Sequence, residues 1–211
     1  MSEGQRSNGL HRALSAHAVY SLSQRMLGAT RARRLLVSRH VRPVAGERVL
    51  DIGCGPGELF DELPAVDYLG FDVNPRYVQA ARRRHGRRGR FECADAREAD
   101  LSHEAPFDLV LGIGIVHHLD DTDAHRLLRL AASALTRGGR MVTFDGVVIP
   151  GQPRAARWLI ERDRGRRVRT VDGYLRLFEQ HFATVSETVR EDFLRVPYTH
   201  LVIEASAPRA S

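Results

Sequence analysis

The stretch Val49-Leu50-Asp51-Ile52-Gly53-Cys54-Gly55-Pro56-Gly57 decides how this chain is read. An apolar run carrying one carboxylate leads into three glycines alternating with small residues. That is the pattern of a buried parallel strand turning through a tight loop into a helix. Glycine has no Cβ and tolerates positive φ, so peptide N–H groups in such a loop can turn inward and a ligand can lie against them near the helix N-terminus. A glycine-rich turn of this kind is shared by nicotinamide, flavin and adenosyl binders. Here the order is Gly-x-Gly-x-Gly followed by Glu58, whereas the dinucleotide fingerprint sets its third glycine one place later.

Working outward, Tyr68-Leu69-Gly70-Phe71 reads as a second strand ending in Asp72, 21 residues beyond Asp51. A doubly wound sheet places its ribose-binding carboxylate there. Arg90-Phe91-Glu92-Cys93 is a short third strand with Asp95 just past its end, where a carboxylate can accept from an exocyclic amine. Either Asp51 or Asp72 alone equally suits a helix cap. Together, at strand ends in this order, they favour a bound ligand.

With these residues in place the chain resembles the class I S-adenosylmethionine-dependent methyltransferases. The matching pieces are VLDIGCGPG, YLGFDVNP, CADARE, FDLVLGIGIVHHLDD and LTRGGRMVTFDG, in the family's order from Val49 to Gly146. The resemblance implies a Rossmann-like α/β domain with a doubly wound seven-stranded sheet, the last strand antiparallel, and S-adenosyl-L-methionine as cofactor. It implies that the loop of Gly53, Cys54, Gly55 and Gly57 faces the methionine part, with Asp51 near its amino group. Asp72, with Val73 beside it, would hold the ribose, and Asp95 with the Ala96 backbone would read the adenine. Gly112 and Ile113 would line the methionine end, with His117 close by. The thiol of Cys54 is read as a small residue that fits, without chemistry of its own.

The length of 211 residues suits one domain with an adequate core. The division expected is a helical cap over 1–46, the methyltransferase domain over 47–206 with an arginine-rich insert at about 150–169, and a loose tail over 207–211. The two cysteines, Cys54 and Cys93, have no metal-ligand spacing and form no disulfide framework, so a reducing cytoplasm is expected and no metal is. No apolar run reaches membrane-spanning length. The net charge is +6 and the pI about 10.1, which could signal a polyanion partner. All 32 basic residues are arginine, however, a bias that looks as much like high-GC codon usage as adaptation. The run from Arg82 to Arg90 has no interleaved aromatic residue for base stacking, so it reads as a solvated face and nucleic acid as an improbable partner.

Between residues 1 and 42 the only acid is Glu3, superficially the composition of a transit peptide. Apolar spacing favours one or two amphipathic helices instead. In the resembling family such helices close over the cofactor, and Tyr20 and Gln24, one turn apart, would reach it from one face. Tyr20 packing into a core is the alternative. Further along, Asn74 and Pro75 start a helix that Gly86 stops. Residues 124–135 read as an amphipathic helix ended by Gly138 and Gly139, then a fifth strand from Arg140 to Phe144.

The tandem histidines His117 and His118 follow the fourth strand, at the carboxyl end where open sheets bind ligands. One can serve as general base, or both can orient the loop. A metal reading with Asp120 and Asp121 is weaker, since adjacent histidines seldom converge on one ion. Asp145, at the tip of the fifth strand, is a second candidate for base or substrate orientation. Arg154 and Arg169 flank Trp158 in the insert, where an arginine cluster can hold a carboxylate or phosphate or simply clothe an exposed helix. Tyr198 and His200, two residues apart on an expected strand, either line a pocket or pack inward.

The function that follows is O- or N-methylation of a small-molecule acceptor by direct displacement at the sulfonium methyl. RNA methylation, a non-catalytic adenosyl-binding protein and a nicotinamide dehydrogenase are the rivals.

Overall fold

The structure, a computed structural model, describes residues 28–95, 98–162 and 167–209. Tyr20, Gln24 and Ala96, with most of the expected helical cap, lie outside the described residues.

Seven strands form the main sheet in the order β3-β2-β1-β4-β5-β8-β7. They are β1 (Arg48–Ile52), β2 (Asp67–Asp72), β3 (Arg90–Cys93), β4 (Phe107–Ile113), β5 (Leu135–Val148), β7 (Phe182–Arg190) and β8 (His200–Pro208). The first five run parallel, and β8 is antiparallel to both β5 and β7. A two-residue strand absent from the sequence reading, β6 (Arg169–Thr170), pairs with the end of β5. Strand order reverses between β1 and β4, and in open α/β sheets a ligand crevice opens at such a switch point.

The central strands are apolar because both their faces are covered. Val49, Leu50, Ile52, Leu109, Val110 and Leu111 are fully buried. Alternation divides the core into two layers. Leu50, Ile52 and Val110 pack toward α3 (Asp121–Ala134) and α5 (Val171–Phe178), while Val49, Leu109 and Leu111 pack toward α1 (Ala29–Leu36) and α2 (Pro75–His85). Asp51 shares the parity of Val49 and projects into the second layer, beside Tyr68.

Helix starts follow the caps written in the sequence. Asn74 accepts from Arg76 N ahead of Pro75, and Thr170 accepts from Gly173 N. Asp120 accepts from Asp123 N, so α3 begins at Asp121 rather than at Ala124. That helix also ends earlier than its glycines suggest, at Ala134. The chain is already extended from Leu135, and the register against β4 slips between Phe107 and Leu109. A Cβ on Gly139 would lie 3.0 Å from Phe107 O, so this glycine permits close strand approach rather than a helix stop. Residues 207–209, expected in a loose tail, are held. Pro208 pairs with Phe182, and Arg209 donates to Glu179 O and Phe182 O. No described helix is long and apolar enough to cross a membrane.

Candidate active site

The loop after β1 is anchored across the sheet. Gly53 N and Cys54 N both donate to Phe71 O at 2.8 Å, and Gly57 N donates to Cys54 O. Gly55 N donates to Asp72 Oδ2 at 2.9 Å, while Asn74 N donates to Asp72 Oδ1 at 2.8 Å. Proline 56 has no N–H, so the loop N–H groups from Gly53 to Gly57 all bond within the protein. They do not turn inward to a ligand as the glycine pattern suggested, and they leave no cradle for a pyrophosphate. What the glycines supply is close approach. Gly53, Gly55 and Gly57 have φ of 79°, 55° and 74°, values that L side chains resist, and open space lies where a Cβ on Gly55 would project.

Beneath the loop, His85 accounts for the third glycine. The ring is buried and its Nε2 lies 2.8 Å from Gly57 O, where a Cβ on Gly57 would also lie 2.8 Å from that nitrogen. Burial holds the His85 pKa below its ordinary value, so the neutral ring donates from Nε2 to the carbonyl. The sequence reading placed His85 in a solvated basic turn, although its spacing from Val78 and Ala81 puts it on the buried face of α2.

A cleft of about 390 Å³ opens at the carboxyl ends of β1, β4 and β5. Asp51, Gly53 and Cys54 line it, together with Ile113, His117, His118 and Asp145, Tyr198 and His200, and Ala29, Ala32 and Leu36 of α1. Asp51 is 2 % exposed and accepts from Tyr68 Oη at 2.6 Å. Burial pushes its carboxyl up to about 6, with the hydrogen bond from Tyr68 opposing and the charge of Asp72 reinforcing the rise. No cation among the described residues pairs with it. A buried carboxylate without a counter-charge is costly, and an ammonium group delivered by a ligand is what would relieve it. Burial likewise pushes the Cys54 thiol well above its ordinary range, which leaves it inert.

Asp72 is half-buried, and each of its oxygens receives one backbone N–H. It therefore does tie the loop to the start of α2, and an ionised carboxylate has lone pairs left for sugar hydroxyls. Asp95 is half-buried just beyond β3, one strand further out, and Val73 between the two acids is 65 % exposed. Asp72, Val73 and Asp95 thus form a ledge outside the deep cleft. Gly112 lies buried within β4, and its neighbour Ile113 reaches the cleft instead.

Opposite Asp51, the histidine loop is built on β5. Asp145 Oδ1 accepts from His117 N at 3.1 Å and lies 2.7 Å from His117 Nδ1, with both side chains buried. Because a carboxylate can only accept, His117 donates from Nδ1 to Asp145. Asp145 thus orients a histidine. The His118 ring lies 4.2 Å from that of His117 and is exposed at the cleft rim. The two loops abut, since a Cβ on Gly53 would lie 2.9 Å from Ile115 Cδ1. No cluster of three or more His, Cys, Asp or Glu side chains is disposed to hold a metal among the described residues.

The arginines of the insert are not gathered at this cleft. Arg154 is exposed at the start of α4 (Arg154–Arg162), and Trp158 on the same helix is 51 % exposed. Arg169 is tucked under the histidine loop, donating to Val116 O at 3.1 Å, Leu119 O at 2.8 Å and Asp121 Oδ1 at 2.7 Å. With Arg167 N donating to His117 O, this segment straps the loop in place. Several members of the other arginine run are engaged too. Arg82 donates to Phe91 O, Arg84 pairs with Asp61, and Arg90 with Glu104. Two further contributors gave no local signal in the sequence. Arg33 of α1 pairs with Glu58 of the glycine loop at 2.7 Å, and Leu194 lines the cleft from the turn before β8.

An open doubly wound sheet, a close-approach glycine loop and acids at successive strand ends make an α/β domain with a ligand crevice at its switch point. Comparison with known proteins agrees. Residues 49–139 match the family model of a methyltransferase domain, the same region that carries the resemblance to the class I S-adenosylmethionine-dependent methyltransferases. It is 33% identical over 114 residues to 27-O-demethylrifamycin SV methyltransferase of Amycolatopsis mediterranei, covering 50% of this chain and 41% of that one. It is 31% identical over 116 residues to a ubiquinone biosynthesis O-methyltransferase of Azorhizobium caulinodans, covering 53% and 42%. The chain spans about half the length or less of the curated relatives it matches. Among solved structures, the pyocyanin biosynthetic protein PhzM superposes with a TM-score of 0.74 at 20% identity, over 97% of this chain and 61% of that one. A TehB-like methyltransferase from Corynebacterium glutamicum gives 0.63 at 21%, over 92% and 99%. These two likenesses concern the fold.

Proposed function

We propose that the chain is an S-adenosylmethionine-dependent methyltransferase that acts on a small-molecule acceptor at oxygen or nitrogen. One observation carries the reading. One cleft is lined both by a buried carboxylate that pairs with no cation among the described residues and by an aspartate-oriented histidine.

The residues present fit the cofactor. Asp51 would receive the ammonium of the methionine tail, lying over Gly53 and Gly55 where no side chain intrudes. Asp72 beside Val73 would accept from the ribose hydroxyls, and Asp95, with Ala96, would meet the adenine edge. Ile113 would line the methionine end. When bound, S-adenosylmethionine supplies an electrophilic methyl group. His117 then acts on the acceptor, its Nε2 taking the proton of a hydroxyl or amine while Asp145 holds the ring in that tautomer and stabilises the imidazolium. His118 at the rim is the second candidate for this proton. Because displacement needs its nucleophile in line, the strap of Arg167 and Arg169 and the cover of α1 contribute through positioning and water exclusion.

A small acceptor is supported by the modest size of the cleft, by the internal engagement of Arg82, Arg84 and Arg90, and by the small-molecule acceptor that the name of the Amycolatopsis relative describes. A cytoplasmic setting belongs to the same reading, since Cys54 and Cys93 are free thiols. Calorimetry with S-adenosylhomocysteine tests it. Saturable binding that Asp51→Asn and Asp72→Ala each weaken is expected, and absence of binding to the wild-type chain overturns it.

A further inference from the structure

Beside the histidine loop lies a second hollow, of about 560 Å³, that shares no lining residue with the cleft. Its volume falls inside the ~300–1,000 Å³ typical of small-ligand pockets. Three arginines line it, Arg167 and Arg169 from the segment around β6 and Arg176 from α5. Asp121, His125 and Thr170 line it too, with His125 Nδ1 held 3.0 Å from His181 Nε2.

The arginines differ in what they do. Arg169 donates from Nε and Nη2 to Asp121 Oδ1 at 3.1 and 2.7 Å, from Nη2 to Leu119 O at 2.8 Å, and from Nη1 to Val116 O and Arg167 O at 3.1 and 3.2 Å. A guanidinium has five N–H donors, so Arg169 is saturated. Its hydrogen bonds hold the Asp121 carboxyl below the ordinary carboxylate range, and that acid is already matched by one positive charge. The charges of Arg167 and Arg176 are left to face the hollow. Arg167 projects from a fixed point, since its N–H donates to His117 O at 3.1 Å and its carbonyl accepts from Arg169. Thr170 Oγ1 accepts from Gly173 N at 3.2 Å, which leaves its O–H to donate. The stretches 1–27 and 163–166 each hold more arginine than acid in sequence, so they add no net counter-charge.

Two guanidinium forks and a hydroxyl suit a group with several acceptor oxygens and a double negative charge. A carboxylate has two oxygens and one charge. A phosphate monoester has three terminal oxygens and a charge of about −1.5 to −2 near pH 7, and arginine meets it through paired, parallel hydrogen bonds. S-adenosylmethionine and its product carry no phosphate, so the occupant is a different molecule.

We propose that this hollow binds a phosphate dianion, free or as the monoester of a small molecule, between Arg167, Arg176 and the Thr170 hydroxyl, and that its occupancy stiffens the histidine loop. The coupling follows from the bond between Arg167 N and His117 O, because a ligand that holds the Arg167 side chain restrains the strap beneath that loop. Binding is independent of the methyltransferase reading above, and only the consequence for turnover rests on it.

Calorimetry of the full chain with inorganic phosphate and with glycerol 3-phosphate tests this, with acetate and the singly charged diester dimethyl phosphate as controls. At least one of the dianions should bind saturably, with both controls at least tenfold weaker. Tighter binding of the monoester points to a phosphorylated small molecule, and equal or tighter binding of inorganic phosphate to the free ion. Arg167→Gln and Arg176→Gln should each weaken binding at least fivefold. Arg137→Gln, which removes the same charge from an exposed position on β5, should change it less than twofold. Amide exchange across 114–120 should slow when the wild-type chain is saturated with ligand, and should slow less in Arg176→Gln at the same concentration. The proposal is overturned if neither dianion binds, if either control comes within tenfold, if Arg137→Gln weakens binding as much as the other two substitutions, or if exchange in the loop is unchanged at saturation. Failure of S-adenosylhomocysteine to bind would remove the methyltransferase reading and leave this site standing, and failure of the dianions would do the reverse.

Discussion

Replacing Asp51 by asparagine should make the ligand-free protein more stable and at the same time poorer at binding its cofactor. The carboxyl is 2 % exposed and its pKa rises from 3.8 to about 6, chiefly through burial. At about 1.4 kcal/mol per unit, the ionised side chain costs the folded state about 3 kcal/mol near neutral pH. An asparagine keeps an oxygen for Tyr68 Oη and adds an amide NH2 facing the cleft, so this figure is a ceiling. The sign follows from proton linkage. Between about pH 3.8 and 6 the folded state holds the proton more tightly than the unfolded one. The stability associated with Asp51 is therefore full below that window and lost as the pH rises through it. For a chain of this length each kcal/mol moves Tm by about 2–4 °C, which sets an upper gain of about 6–12 °C for Asp51→Asn above the window and none below it. Thermal unfolding of both proteins across the window, with and without S-adenosylhomocysteine, measures this. The cofactor should raise the wild-type Tm more than that of the variant, and its affinity for the wild type should grow as pH rises through about 6. A Tm difference independent of pH, or equal binding by the two proteins, would refute the reasoning.

Further substitutions probe the remaining parts of the site. His117→Gln should slow methyl transfer roughly 10²–10⁴-fold with little change in S-adenosylhomocysteine affinity, and Asp145→Asn, which favours the other tautomer, should follow it; single-turnover rates beside calorimetry separate the two effects. Asp72→Ala should weaken S-adenosylhomocysteine about tenfold or more, as expected for losing a charge-assisted hydrogen bond, and should cost some stability because Gly55 N and Asn74 N lose their acceptor. Gly57→Ala places a Cβ 2.8 Å from His85 Nε2 at a φ of 74°, so a urea melt should register a loss of about 1–3 kcal/mol, larger than for Gly55→Ala, whose Cβ meets open space. Arg169→Ala leaves Val116 O and Leu119 O without their donor, and amide exchange across 114–120 should accelerate, with partial recovery in Arg169→Lys.

The first half of the fold was legible because its signals are local. Strand-length apolar runs, the glycine loop, the Asn74–Pro75 cap and the acids at strand ends each sit within a few residues of what they determine. Asp145 was also singled out, but its link to His117 spans 28 residues, so it read as a second base and not as the partner that fixes the first. Arg169 misled for the opposite reason. An arginine cluster in the sequence suggests an anion site, yet three of its hydrogen bonds go to backbone carbonyls, and carbonyl positions leave no trace in residue identity. The loop glycines were correctly placed, but the destination of their N–H groups depends on Phe71 O, contributed by a different strand. The pair Tyr198 and His200 was left between pocket and core, and it belongs to both, since His200 is 6 % exposed and still lines the cleft.

The antiparallel return of β8 gives this chain a division of labour along its length. The acids and loop glycines expected to grip the donor molecule come from residues 49–95, whereas Tyr198 and His200 arrive from the far end of the sequence, beside Gly146, by way of one hairpin. Selection can therefore reshape the hairpin turn at 191–199 while the machinery for the common reagent stays intact. Grafting that turn from a relative is expected to change the cleft lining at Tyr198 while the glycine loop and its acids keep their places.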